Sequence, residues 1–304
     1  MSGATNRGNA AGARGAARRF AYAVSRAIRS AADILRRMSK SPAAMISLSI
    51  VGIWLLLAIL GPAVAPYRAT EQIIAERFQP PSLDHLFGTD RFGRDVFSRV
   101  IVGSRSVFIL AASSTALATV LGTLIGLLTG YFGGLFDQLA MRFMDILMSF
   151  PALLLAMLLL GVSRPSALGV IIVIGIVFAP RIARVARSSV LGIRTEEFVE
   201  AARVRGEGAA YIMFSEILPN ILGPLGVEAA VRFGYAIFLS ASLGFLGLGV
   251  QRPTPDWGLL MNEAQEYITR APWMAIFPAL AIASLTVSMN FLSDTIRKLE
   301  AGDL

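Results

Sequence analysis

The sequence predicts an all-α, polytopic membrane protein with six transmembrane helices. Composition is the first reason: 55% of residues are hydrophobic and only 16% charged, against roughly 25% charged in ordinary soluble domains. The second is the recurrence of long apolar runs near 43–65, 106–131, 140–162, 167–189, 221–246 and 272–293. Each is long enough to cross a hydrocarbon core of about 30 Å. The third is charge placement. Residues 1–40 carry eight Arg, one Lys and one Asp, and such basic segments stay in the cytoplasm by the positive-inside rule. Six crossings then return the C-terminus, with Arg297 and Lys298, to the same side. This puts 66–105, 163–166 and 250–271 outside and 131–139, 190–220 and 294–304 inside. The organisation expected is a basic cytoplasmic tail (1–40), a first span with an external segment (41–105), and a core (106–304). With no cysteine, disulfides, iron–sulfur clusters, thiolate zinc sites and thiol nucleophiles are excluded.

Each element can be justified in order. In the tail, Phe20, Val24, Ile28, Ala31, Leu35 and Met38 recur at helical spacing with arginines between them. That pattern predicts an amphipathic helix over 16–38 lying on anionic headgroups, with a disordered basic tail as the competing reading and the favoured one for 1–15. The apolar run after Arg36-Arg37 is about 23 residues, too long for a signal-peptide core, so it is read as an uncleaved first span. Pro62 and Pro66 should end that span. Beyond it, Gly88, Gly93 and Gly103 predict turns. Asp95 and Arg99 are spaced as an i,i+4 pair on a short helix, worth a few tenths of a kcal/mol.

The second span carries Ser114, Ala118, Gly122, Gly126 and Gly130 at four-residue intervals. Such a row lets another helix approach closely, and packing inside the chain's own bundle is favoured over a contact between subunits. Tyr131-Phe132-Gly133-Gly134 predicts a tight inner turn. The third span has Arg142 and Asp145 at its inner end and a kink at Pro151. The fourth leads into Arg181, Arg184 and Arg187, expected to snorkel to lipid phosphate.

The fifth span contains Glu228 and Arg232, one turn apart near the inner mouth, and Ser240 near its end. Ionisable groups at membrane depth face protein or water, so Asp145, Glu228 and Arg232 are candidate translocation-pathway residues, and the polar Ser240 is carried with them as a further candidate. For Glu228 and Arg232 simple structural pairing is the competing reading. Gly244, Gly247 and Gly249 follow an apolar helix rather than a strand and lack dinucleotide-fingerprint spacing. Pro253, Pro255 and Trp257 predict an outer interfacial loop anchored by the indole, and Pro272 opens the sixth span at a tolerated position.

Between the fourth and fifth spans lies a polar cassette, 195–219. Thr195 is the expected N-cap, with Glu196 and Glu197 favouring the helix dipole. Phe198, Ala201, Ala202 and Arg205 share one face. Gly206 and Gly208 permit a reversal. A second short helix over about Ala209–Leu218 places Tyr211, Phe214, Ser215 and Leu218 at i, i+3, i+4 and i+7, and Pro219 ends it. The product is a helix–turn–helix knob with an aromatic edge, able to pass a push into the bundle. An amphipathic loop lying on the membrane accounts for the same spacing, and the spacing does not choose between them.

The residues EEFVEAARVRG (196–206), with ILPNILGPL (217–225) behind them, resemble the EAA coupling loop of binding-protein-dependent ABC importers. FGTDRFGRDVFSRVIVGSRSVF (87–108), LAMRFMDILMSFPALLLAM (139–157) and SLGFLGLGVQRPTPDWGLLM (242–261) narrow the likeness. Together they are similar to the C-type permease subunit of dipeptide, oligopeptide and nickel importers, over about residues 40–300. The resemblance implies the six-helix type I ABC importer permease fold in a bacterial or archaeal inner membrane, with both termini cytoplasmic. It implies a homologous second permease, two cytoplasmic ATPases that bind ATP and Mg, and an extracytoplasmic solute-binding protein. Membrane lipid surrounds the chain, no nucleic acid is expected, and this chain itself carries no cofactor. By position, Glu200, Ala201, Ala202 and Gly206 belong to the helix seated in an ATPase groove, with Tyr211 and Phe214 on the adjoining edge and Leu218 and Pro219 closing the element. The sequence departs from the family pattern at Arg205 and Glu216, where apolar residues are usual, at Ser240, where Glu is expected, and at Ser293, where Gly is usual.

Other function classes fare poorly. A phosphate-binding loop needs Gly-Lys-Ser/Thr after a glycine-rich turn, and the lysines are Lys40 and Lys298, neither in that setting. His85 is the sole histidine, which excludes a multi-histidine metal site, and it reads as a loop residue. The rival is an ion-coupled secondary transporter working without an ATPase. Such proteins bury ionisable groups at the midplane and show inverted repeats, and no convincing internal repeat is present.

Overall fold

Apolar length decides where the chain is helical. The computed structural model describes residues 41–162 and 165–301, so the amphipathic helix expected within 1–40 lies outside the described residues. Helix α1 (Pro42–Val64) starts on Ser41, whose hydroxyl caps the Ala44 N–H. It runs through Pro62 and stops only ahead of Pro66. Helix α2 (Val96–Phe132) has 37 residues, or ~55 Å at 1.5 Å per residue. It therefore begins ten residues before the expected 106 and stands well proud of a bilayer core. Helices α3 (Gly134–Ser149) and α4 (Ala152–Gly161) meet at 94°, so Pro151 marks a break rather than a kink. Helix α5 is Ala167–Ile193 and the short α6 is Glu197–Val204. The next helix is continuous from Ala209 to Phe245 and includes α7 (Leu218–Phe245). The short α8 (Trp257–Ala264) and the long α9 (Trp273–Ala301) follow. Five helices are long and apolar enough to span, and the α3–α4 pair makes a sixth if it is one span. No strand is present among the described residues.

The largest helix–helix interface is α2 against α5, and the small-residue row makes it. A methyl group added at Gly126 would lie 2.4 Å from the Ala186 Cβ and 2.6 Å from the Ala183 carbonyl oxygen. Ser114, Ala118, Gly122 and Gly130 are buried along the same helix. The row therefore serves packing within the bundle, as the close approach of lipid-embedded helices demands.

At the end of the bundle opposite α6, the segment 66–95 folds onto α8 and α9, and here several expectations are corrected. Asp95 and Arg99 do not pair. Asp95 caps α2 through the Ser98 N–H and meets His85 Nδ1 at 2.9 Å, while His85 Nε2 meets Glu76 at 3.2 Å. Arg99 turns inward to Asp90 and Glu263, both at 2.7 Å. Arg94 reaches the same two carboxylates at 2.6 and 2.7 Å, and Arg252 reaches Glu263 at 2.5 Å. Gly103 makes no turn; it lies within α2, where an added Cβ would sit 3.2 Å from the Trp257 ring. Trp257 is fully buried, donates from its indole to the Val100 carbonyl at 2.8 Å, and meets Trp54 edge-on at 4.7 Å. It is a core residue, not an interfacial anchor, because a hydrogen-bond acceptor waits for its N–H inside the protein.

Asp256 caps α8, accepting from the Gly258 and Leu259 N–H groups at 3.0 and 3.2 Å. Burial pushes its carboxyl up to about 6 despite those two bonds. An acid whose folded pKa is raised gives stability below its unfolded pKa, lost as pH rises through the folded value. Wild-type melting temperature should therefore fall between about pH 4 and pH 6 by an amount set by roughly 3 kcal/mol. Asp256→Asn keeps the cap and should flatten that slope. Melting curves of the detergent-solubilised protein across pH 4–8 check this, and an unchanged slope in the variant would refute it.

Candidate functional site

The polar cassette folds as a hairpin rooted in the bundle. Helix α6 starts on Glu196, not Thr195, and no side chain caps it. Its end explains Gly206. The Gly206 N–H bonds to the Arg203 carbonyl and the Glu207 N–H to the Ala202 carbonyl, with Gly206 at φ +78°. This is a Schellman closure, and only a residue without a Cβ takes that φ cheaply. Gly208 has an ordinary φ of −72° and begins the next helix.

The face expected to be shared by Phe198, Ala201, Ala202 and Arg205 is divided. Val199 and Ala202 are buried in the main core beside Ile212 and Ile217. Phe198, Glu200, Ala201, Val204 and Arg205 are exposed. The Arg203 guanidinium lies 5.8 Å from the Tyr131 ring, against the turn between α2 and α3. Both Gly133 and Gly134 of that turn take positive φ, as its tightness requires.

The second helix of the knob does not stop at Pro219. A π-helical stretch, Ile212–Ile217, leads directly into α7 with Pro219 at its first turn. The wider π turn releases the proline from an α-helical N–H bond it cannot make. The Asn220 side chain donates to the Glu216 carbonyl at 2.7 Å. Phe214 projects outward and is exposed, while Tyr211, Leu218 and Pro219 are half-buried. The two departures from the family pattern meet: Arg205 donates to the Glu216 carboxylate at 3.3 Å. An arginine on one arm answers an acid on the other, so together they brace the hairpin.

Of the three arginines leading out of α5, two have protein partners instead of lipid phosphate. Arg187 grips Asp137 through two bonds of 2.5 and 2.6 Å, and Arg184 meets Asp145 at 2.5 Å. The candidate pathway residues are not one constellation. Asp145 is in its exposed pair with Arg184. Ser240 is buried, its hydroxyl donating to the Ile237 carbonyl at 3.0 Å. Glu228 and Arg232 pair at 2.6 Å, with Arg297 3.9 Å from the same carboxylate. Arg232 lies midway along α7 rather than at its inner end, and lines a cavity of about 190 Å³ with Arg181, Tyr235 and the α3–α4 break. Sequence reasoning missed this cavity. The clue available to it was Pro151, which opens the break.

A bundle of long apolar helices with a rigid polar hairpin between two of them defines an integral membrane transport component. The match to known proteins is direct. Residues 122–299 fit the family model of the binding-protein-dependent transport system inner membrane component, and residues 31–81 fit the N-terminal transmembrane domain of oligopeptide transport permease C. The chain belongs to this permease family. It is 37% identical over 265 residues to the dipeptide transport system permease protein of Alkalihalophilus pseudofirmus, covering 87% of each chain. It is 39% identical over 246 residues to the di/tripeptide transport system permease protein of Pseudomonas aeruginosa, covering 79% of this chain and 81% of that one. It is 38% identical over 266 residues to a glutathione transport system permease protein of Escherichia coli, covering 87% and 88%. The chain is thus a membrane permease and not an enzyme.

Proposed function

We propose that this chain is one of two homologous permeases of an importer for short peptides or a chemically related solute. A solute-binding protein delivers the cargo on the α8 side, and two ATPases that bind ATP and Mg drive the cycle from the hairpin side. The hairpin side is cytoplasmic, with both termini there, in a bacterial or archaeal inner membrane. Residues 1–40 form a basic tail, 41–105 the first span with its outer segment, and 106–304 the core. Peptides are favoured because the relatives are described as dipeptide, di/tripeptide and glutathione permeases. A nickel complex would need only another binding protein, since the permease sees what that protein releases.

One observation carries the reading. The hairpin offers Phe198, Glu200, Ala201, Val204 and Phe214 outward while Val199, Ala202, Ile212 and Ile217 root it in the core shared by α5 and α7. A partner gripping the outer face therefore moves both helices as a rigid lever, because close-packed interiors shift between discrete arrangements rather than deform smoothly. Closure of the ATPases on nucleotide would swing α5 and α7 and open the path alternately to each side.

Glu200→Arg tests this, since the residue is exposed and its side chain makes no hydrogen bond or ion pair among the described residues. ATP-dependent uptake by the reconstituted complex should fall more than about tenfold, corresponding to over ~1.4 kcal/mol of lost coupling or docking, with insertion and melting temperature unchanged. Gly206→Pro should do the same, with partial loss of stability, because proline cannot take φ +78°. Wild-type uptake in the Glu200→Arg complex would end the coupling role. Uptake by this chain alone, without nucleotide, would favour the secondary transporter.

A further inference from the structure

The cavity at the α3–α4 break has a sign of charge that the fold does not need. Arg181 and Arg232 both line it, with Phe178 and Tyr235 as walls. Arg232 is 7% exposed, and among the described residues its side chain makes one hydrogen bond, from Nε to Glu228. Glu228 is also 3.9 Å from Arg297, so one carboxylate is shared by two guanidiniums. Arg181 forms no ion pair among the described residues. It therefore differs from Arg184 and Arg187 on the same helix, which have Asp145 and Asp137. Holding a cation at membrane depth is costly unless it meets a partner or water.

A second feature adds to the field. Helix α4 begins at the break, its N-cap is Pro151, and no side chain caps its first turn. Phe150 and Ala152, the residues on either side of that start, line the cavity. Unsatisfied N–H groups at a helix start favour a negative charge. The buried Arg232 guanidinium and the exposed Arg181 guanidinium beside an aromatic wall, with uncapped amides at a broken helix, form a cradle for a planar, bidentate anion.

We infer that this cavity is an oxyanion station on the pathway, taking the carboxylate of the travelling solute, with Arg232 and Arg181 as its ligands. The inference rests on the permease reading and adds to it the class of group that the membrane subunit itself contacts. Tyr235, whose ring lies 5.0 Å from the Arg232 guanidinium, orients that guanidinium toward the cavity. A carboxylate delivered there neutralises excess positive charge only while the cavity is formed by α3, α4, α5 and α7 together. Movement of those helices releases it.

The absence of cysteine makes the test direct. Ala152 is exposed and lines the cavity, so Ala152→Cys places a single thiol in this chain. In the assembled complex, its labelling by anionic sulfonatoethyl and cationic trimethylammonioethyl methanethiosulfonate is followed by mass spectrometry of this chain. After correction for each reagent's rate with a free thiol, the anionic reagent should react at least about tenfold faster, as a cleft of one charge sign concentrates counter-ions. Arg181→Gln and Arg232→Gln should each reduce that preference, and equal rates in the parent would overturn the site. Alanyl-alanine should protect the thiol and alanyl-alanine amide should not. Protection that depends only on exchanging phosphatidylcholine nanodiscs for phosphatidylglycerol would assign the cavity to a lipid headgroup and overturn the solute assignment. ATP-dependent uptake by the same complex is measured separately. Its absence with the charge preference intact would count against the permease reading alone.

Discussion

Gly126→Leu should leave no folded permease. The residue faces Ala186, Ala183 and the Arg187 backbone so closely that even a methyl group would meet atoms at 2.4, 2.6 and 2.8 Å. Two of those three are backbone atoms, which no rotamer change can move aside. The α2–α5 pair would have to separate, and overpacking, at about 1–3 kcal/mol where side chains can shift, costs more where backbone blocks the way. Gly126→Ala should already lower the melting temperature. Gly52→Ala is the matched control, since nothing lies within 4 Å of its added methyl, and it should be neutral or slightly stabilising because alanine restricts the unfolded chain. Thermal melting and the monodisperse yield of the purified complex distinguish these outcomes. A Gly126→Leu protein that melts with the wild type would show that α2 and α5 do not pack as described.

That same glycine row shows what a sequence can reveal. Four-residue spacing of small side chains has one economical use in a bilayer, so both the row and its internal role could be read before any partner helix was known. The spans were legible for a similar reason: hydropathy is a local property and needs no knowledge of contacts. The hairpin was legible as an element, because polar residues between two spans must leave the membrane and Gly206 ends a helix. Which of its alanines faces outward was not. That depends on the root of the hairpin, where Ala202 meets Ile212 and Ile217 in the core.

The failures share a cause. Asp95 and Arg99 satisfy a helical spacing rule, but Asp95 is the cap and Arg99 answers residues 90 and 263. Trp257 in a proline-rich loop has the composition of an interfacial anchor, yet its acceptor is Val100, far away in sequence. Pro219 obeys its helix-ending habit only where the register is α-helical, and the π stretch before it removes the conflict. In each case a long-range contact or a change of helical register overrode a local preference. The α3–α4 cavity was hidden for the same reason, since its two arginines lie on different helices.

Removing Glu263 should unlock the face of the molecule opposite the hairpin. Three guanidiniums and two carboxylates meet there: Arg94 and Arg99 share Asp90 and Glu263, and Arg252 also holds Glu263. Four of the five side chains are buried, Arg252 being the half-exposed one. Replacing the whole set with apolar residues need not destabilise, but deleting one member leaves buried charge unanswered, at about 3–5 kcal/mol. Glu263→Ala leaves the buried Arg94 and Arg99 with Asp90 alone and takes from Arg252 its carboxylate, and it should release 87–99 from α8, with a fall in melting temperature larger than for any exposed charge. Arg252→Ala, at the rim, should cost far less. Acid should imitate the deletion. Burial alone would raise the Glu263 carboxyl, but Arg99 and Arg94 outweigh it and hold the group below its ordinary value of 4.5. A depressed carboxylate gives stability that is complete above its unfolded pKa and lost as pH falls through the folded one. This loss belongs below about pH 4.5, beneath the window in which Asp256 acts with the opposite sign. Melting curves of wild type and Glu263→Ala from pH 3 to 7 separate the two groups. The variant should lose the acid limb and retain the Asp256 slope, and an unchanged acid limb would place the lock elsewhere.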